Sequence, residues 1–334
     1  MRGLLGVIVI AIAGWSGFWY VGQIGVSREF ARWFEARRAA GWVAEVADLH
    51  TRGYPLRFDT VLGDLALADP ATGLAWEAPR LRIVALSYRP NHVIVQWPSR
   101  QLLATPLDKY VLESREMQAS LITGADIRLP LERMTLTAAE LAVTPQSGDQ
   151  PLRADALRLA AARQPAAPAT YRLGLAADGL SPALDWRVRL DPGGRLPERF
   201  DAFRADLTVR FDKPWDRSAI ERARPQPRHI DIRLAEARWG RLELQAAGTL
   251  DVDDAGLPEG EIALKARNWR EIVRMAQASG ALGETSAAAL EDALSLVAQM
   301  AGNPRTLDVT LNFRNGRVRL GPVPLGAAPV LRIR

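Results

Sequence analysis

The chain has 334 residues, 48% of them apolar, which is enough for a sizeable core and excludes a globally disordered protein. A formal net charge of +5, carried by scattered rather than clustered basic residues, argues against a nucleic-acid surface. The absence of cysteine excludes disulfides, thiolate metal sites and cysteine nucleophiles, and His50, His92 and His229 stand far apart, with no second histidine at metal-ligand spacing.

Uncharged residues run from Leu4 to Val21, directly after Arg2 and Gly3. At ~1.5 Å per residue this stretch covers about 27 Å as a helix, close to the ~30 Å hydrocarbon core of a bilayer. Three readings compete: an uncleaved anchor, a signal peptide cut near Ala11-Ile12-Ala13, and a buried core helix. The anchor is favoured, because the apolar run continues past the cleavage-like site into Trp15, Phe18, Trp19 and Tyr20, an aromatic cluster suited to a membrane interface. Flanking charge would keep the C-terminal side in the cytoplasm, whereas a short tail before a long body is the layout of a signal anchor. The residues alone leave the orientation open.

Residues 27–46 read as a second helix, with Phe30, Trp33, Phe34 and Arg37 on one stripe. The stripe can pack on the body. Alternatively the helix lies on the membrane surface, with Arg28, Arg32, Arg37 and Arg38 as membrane-proximal basic residues against anionic headgroups. The expected organisation is an anchor over 1–23, an amphipathic helix and connector over 24–52, and a β-rich body over 53–334.

After Gly53-Tyr54-Pro55 apolar and polar residues alternate with period two, the signature of strands. Strands are expected at 76–88, 92–97, 110–121, 134–143, 152–159 and 171–177. The clearest run sets Phe203, Ala205, Leu207, Val209 and Phe211 against Arg204, Asp206, Thr208 and Arg210. Further strands fall at 230–234, 242–246, 262–266 and 307–313. Turns are marked by Asp69-Pro70, Arg89-Pro90-Asn91, Pro192-Gly193-Gly194 and Asn315-Gly316. The segment Gln164-Pro165-Ala166 and its neighbours to 169 is the best linker candidate and would divide the body into two halves. Late in the chain, 269–278 and 286–301 read as a helical pair. Short connections favour antiparallel neighbours. The expected fold is therefore mainly β: one or more elongated, twisted antiparallel sheets, as an open sandwich or a grooved sheet, with an N-terminal transmembrane helix, a following amphipathic helix and a late helical pair.

Catalytic signatures are missing. There is no Gly-x-Ser-x-Gly elbow, phosphate-binding loop, dinucleotide fingerprint or His-Glu-x-x-His. Asp251, Asp253 and Asp254, followed by Gly256, begin like a calcium loop, but Ile262 occupies the position that needs a bidentate glutamate, so a solvated hairpin turn is the better reading. No catalytic, cofactor-binding or metal-binding residue is assigned, and no enzyme activity is expected.

Gly41-Trp42, the run from Gly53-Tyr54-Pro55 to Phe58, Trp76-Glu77-Ala78-Pro79, Ala247-Gly248-Thr249-Leu250-Asp251 and the ending Asn315-Gly316 with Leu320-Gly321 and Val323-Pro324-Leu325-Gly326 resemble an alphaproteobacterial family, domain of unknown function 2125. The resemblance covers nearly the whole chain and implies a single-pass inner-membrane anchor with the body in the periplasm. It implies no activity, cofactor or site residues. The strand style is also similar, more weakly, to AsmA-type envelope proteins, which present grooved sheets and are linked to lipid transport. The resulting expectation is a non-enzymatic envelope protein that binds phospholipid or another apolar ligand along a sheet face. The alternative is a structural or assembly factor that binds envelope proteins. Nucleic acid is not an expected partner.

Overall fold

The computed structural model describes residues 2–148, 150–280, 282–300, 305–321 and 323–333. The protein is mainly β, as the alternation predicts. A long helix, α1 (Arg2–Ala39), leads into a single large antiparallel sheet. Its first strands are β1 (Val43–Glu45), β2 (Asp48–Arg52), β3 (Arg57–Asp69), β4 (Leu74–Leu86), β5 (Arg89–Gln96) and β6 (Arg100–Ala104). Next come β7 (Lys109–Glu113), β8 (Glu116–Thr123), β9 (Leu131–Pro145), β10 (Leu152–Gln164) and β11 (Ala167–Asp178). A short helix, α2 (Leu184–Leu190), precedes β12 (Ala202–Phe211), and another, α3 (Ser218–Glu221), precedes β13 (Pro227–Trp239). The sheet continues with β14 (Leu242–Val252) and β15 (Pro258–Arg267), is interrupted by α4 (Trp269–Ala278) and α5 (Glu284–Met300), and ends with β16 (Thr306–Arg314), β17 (Arg317–Leu320) and β18 (Val323–Ala327).

Apart from β1/β2, β5/β6 and β7/β8, strands that follow one another in sequence pair antiparallel, so the sheet is a long meander. The pairs β1/β2, β5/β6 and β7/β8 are each one strand line broken by an irregularity, since both members face the same neighbours, β3 for the first pair and β4 and β9 for the others. The predicted strand 110–121 is therefore split at Ser114, whose N–H turns to the Ser99 carbonyl at 2.9 Å while Arg115 N–H reaches Ala139 at 3.0 Å. A sheet this wide cannot stay flat, because each strand adds right-handed twist. Its curl is visible in a contact between distant segments: Arg37 near the end of α1 donates to the Glu221 carbonyl, in the β12–β13 connection, at 3.2 Å.

Four sequence expectations are revised. The anchor and the amphipathic helix are not separate elements, because nothing between Val21 and Ser27 breaks the helical ladder. The helix also stops at Ala39 rather than running to 46. Gly41, at φ +86°, forms a Schellman cap in which Trp42 N–H reaches Arg37 (3.0 Å) and Gly41 N–H reaches Arg38 (2.9 Å). The linker candidate near 164–169 is a tight turn inside the sheet, with Gln164 paired to Ala167, so strand pairing is continuous across it. The Arg89-Pro90-Asn91 turn lies one step earlier, at Ser87-Tyr88, because Arg89 already pairs with Leu86. By contrast, Asn315-Gly316 joins β16 to β17 as predicted. The Asp253–Leu257 hairpin is closed by Asp253 itself, whose carboxylate accepts from Leu257 N–H at 2.8 Å. The helical pair leaves and re-enters the sheet at one place, where Asn268 N–H meets the Arg305 carbonyl at 2.8 Å.

Candidate functional site

Cross-strand register assigns every paired residue to one of two faces. Ile83 pairs with Val95, Val95 with Ala119, Ala119 with Leu136 and Leu136 with Leu159. The row continues through Leu175, Ala205, Ala235 and Ala246 to Leu264 and Val309. One step along the strands a second row on the same face runs from Phe58 through Val93, Leu121, Met134, Leu173 and Leu207 to Ile262 and Leu311. On the other side a third runs from Met117 through Leu157 and Phe203 to Leu244 and Leu307. These rows cross nearly the whole sheet without a charged residue. The opposite face reads Arg82, Gln96, Gln118, Thr137, Arg158, and beyond them Arg204, Glu236 and Lys265.

Helices cover the apolar face at its two ends. At the first end, Phe34 of α1 is buried against Leu62, Leu65 and Leu81, with Phe30, Trp33, Ile83 and Val95 around it. At the other end, Trp269 and Val273 of α4 and Leu290 and Leu294 of α5 bury Ala266, Leu307 and Leu320. Beside them α2 and its following loop close over Trp239 and Leu242 through Leu190 and Leu196. Between these caps, Leu121, Met134, Leu136, Leu157, Leu159, Leu173, Leu175 and Leu207 stay half-buried. At one strand end of this stretch Tyr171, Val209 and Phe211 are buried with Trp215 of the β12–β13 connection, and Leu131, Leu173 and Leu207 pack against them. Polar groups border it at one strand end, where Arg163 and Glu132 form an ion pair at 3.1 Å.

The long helix is joined to the body well before its C-terminus. Trp19 is 4% exposed, its ring stacks on Phe58 at 5.9 Å, and its indole N–H donates to the Arg57 carbonyl at 3.0 Å. Gly22 makes this approach possible, since a Cβ there would lie 2.6 Å from the Phe58 ring. Further on, Gln23 donates to the Thr51 carbonyl (2.8 Å), and Thr51 bonds Thr60 (2.9 Å), so the polar groups under the helix are paired. Among the described residues, α1 is the one helix long and apolar enough to cross a membrane.

The four predicted membrane-proximal arginines do not form one surface. Arg28 is exposed, and Arg32 pairs with Glu29 on the same helix. Arg37 turns into the body, over Trp33 (6.0 Å) and Trp42 (5.7 Å), and Arg38 donates to the Ala44 carbonyl at 2.8 Å. At ~1.5 Å per residue Arg37 is about 24 Å beyond Val21 along the axis. The aromatic stripe Phe30, Trp33 and Phe34 packs on the sheet, the first of the two readings of that helix.

Polar chemistry is sparse. His50 bonds Asp48 and His229 bonds Asp251, each at 2.8 Å near the surface. His92 Nε2 lies 2.9 Å from Ser120 Oγ on the polar face, and among the described residues no carboxylate orients its other nitrogen. No group of three or more His, Asp or Glu among the described residues is placed to hold a metal ion. On the polar face Arg82 grips the Asp59 carboxylate with two donors (Nε–Oδ1 2.7 Å) and holds its pKa below the ordinary carboxylate value.

The turn and strand-start motifs that carry the sequence resemblance now have structural places: Gly41 caps α1, 53–58 docks on Trp19, and Asn315-Gly316 turns β16 into β17. The family described as "Uncharacterized protein conserved in bacteria (DUF2125)" matches residues 19–329. The chain belongs to this family. The match begins at Trp19, the residue that joins α1 to the body, so the DUF2125 region comprises the docked half of the helix and every strand of the sheet. No curated protein and no solved structure matches the chain.

Proposed function

We propose that this protein is a non-enzymatic, single-pass inner-membrane protein whose periplasmic body holds an acyl chain or similar apolar ligand along the apolar face of its sheet, in the manner suggested by its likeness in style to AsmA-type envelope proteins. The observation that carries this reading is the central stretch of the apolar rows. At ~25 cal/mol per Å², apolar area left in contact with water is a standing cost, and a contiguous uncovered patch marks a ligand or partner surface. Helices bury both ends of the face, the leucines between them are only half-buried, and this incomplete burial supports a ligand there, with the adjacent bilayer as its nearest source. The uncharged stretch of α1 would keep the body beside that source.

Full-length protein extracted in mild detergent, then analysed by native mass spectrometry and lipid extraction, tests this. Bound phospholipid or another apolar molecule in stoichiometric amount is expected. Protein that carries none, with unchanged recovery of one dominant envelope protein on crosslinking in cells, would instead favour the assembly-factor reading.

A further inference from the structure

We infer that the tip formed by Tyr54, Pro55, Leu56 and the Ser87-Tyr88 turn is a second membrane-contacting element, immersed in the leaflet around α1; this rests on the reading of α1 as a membrane span. The argument begins with helix length. Every residue from Gly3 to Trp15 is exposed, and contact with the body starts where Trp15 Nε1 donates to the Pro55 carbonyl at 2.9 Å and Ser16 bonds the Tyr54 hydroxyl at 2.8 Å. Residues 2–14 span only about 20 Å at ~1.5 Å each, whereas the hydrocarbon core is ~30 Å thick. Arg2 bounds the apolar stretch on one side, so the missing ~10 Å must come from the segment Trp15 to about Val21. That segment carries the tip at its side.

The tip is built for this place. Tyr54 is 50% exposed, and Leu56 and Tyr88 are each 58% exposed, while Phe18, Tyr20 and Val21 face outward on the helix at the same level. Non-helical backbone in hydrocarbon is tolerated only when its polar groups are satisfied internally. Here the Pro55 carbonyl accepts from Trp15 and Ser87, the Leu56 carbonyl from Ser87 N–H (3.0 Å), and the Arg57 carbonyl from Trp19. Pro55 has no N–H to satisfy. Arg57 and Arg89, exposed and adjacent to Leu56 and Tyr88, are placed for lipid phosphates. The Phe58 row starts beside this tip, so the immersed end of the sheet would put the apolar face in direct reach of lipid tails.

The cysteine-free chain allows a direct test. Single cysteines are introduced as Leu56→Cys and Tyr88→Cys, with Ile8→Cys in the free part of α1 and Leu107→Cys on an exposed turn at the opposite strand end as references. Each full-length variant is labelled with an environment-sensitive fluorophore in nanodiscs of phosphatidylethanolamine and phosphatidylglycerol. Labels at 56 and 88 should show the blue-shifted emission of the label at 8 and be quenched by acyl-chain nitroxide lipids, with the label at 107 quenched only by aqueous iodide. If 8 is in lipid while 56 and 88 behave like 107, the tip is not immersed and the inference fails with the anchor intact. If 8 is also aqueous, the anchor reading fails and the inference with it.

Discussion

A lysine placed at Leu175 distinguishes an open apolar face from a covered one. Leu175 lies in β11 at the middle of the first apolar row, between Leu159 and Ala205, and is half-buried. Full burial of a leucine is worth about 1.5–3 kcal/mol. Losing part of that burial, with the lysine stem still lying along the sheet and its ammonium reaching water, should cost about 1–2 kcal/mol. Leu294 of α5 is the control, since it is 4% exposed beneath the helical cap. There truncation alone removes about 2–5 kcal/mol, and an unpaired charge adds to that, which approaches the whole stability of a typical domain. Urea unfolding of the two full-length variants, followed by tryptophan fluorescence, should therefore leave Leu175→Lys folded and Leu294→Lys largely unfolded. Leu175→Lys should also lower co-purified lipid about tenfold, the equivalent of ~1.4 kcal/mol. Comparable destabilisation at both sites would mean that protein covers the central face. Unchanged lipid content in a folded Leu175→Lys variant would remove the face as the binding surface.

Two further predictions concern the helix–body junction and the outer face. Trp19→Phe should cost about 1 kcal/mol through the lost indole hydrogen bond, and Trp19→Ala about 3–5 kcal/mol. Both losses should appear as faster amide exchange in 51–58, with exchange in the α4–α5 cap unchanged; a uniform change across the chain would refute a local docking role. Asp59→Asn should cost about 1 kcal/mol at pH 7, because the Arg82 pair is partly exposed. Arg82 holds the Asp59 pKa below 3.8 in the folded state, so this stabilisation is complete above that value and fades as pH falls through the lowered one. The gap between wild-type and variant urea midpoints should shrink on acidification, and a pH-independent gap would contradict the assignment.

The local pattern of residues determined the mainly β class, the long apolar helix and the helical pair near the C-terminus. Period-two alternation such as Phe203 to Phe211 and period-four spacing such as Leu290 and Leu294 depend on neighbours a few residues apart, and they survive any arrangement of the whole. The same locality explains what was misread. Residues 43–45 pair with 66–68 as β1, and only that pairing, together with the Gly41 cap, ends the helix before them. Helix α2 has no buried residue and leaves no apolar stripe to read. Alternation shows that a sheet has an apolar face but carries no information about what lies over it. That was decided by contacts between distant segments: Phe34 over Leu62 and Leu81, Trp269 over Ala266 and Leu307, and Arg37 against Glu221, 184 residues away. The tip beside Trp15 and Trp19 belongs to the same class, because its nearness to the anchor comes from docking across some forty residues of chain, and no local spacing encodes it.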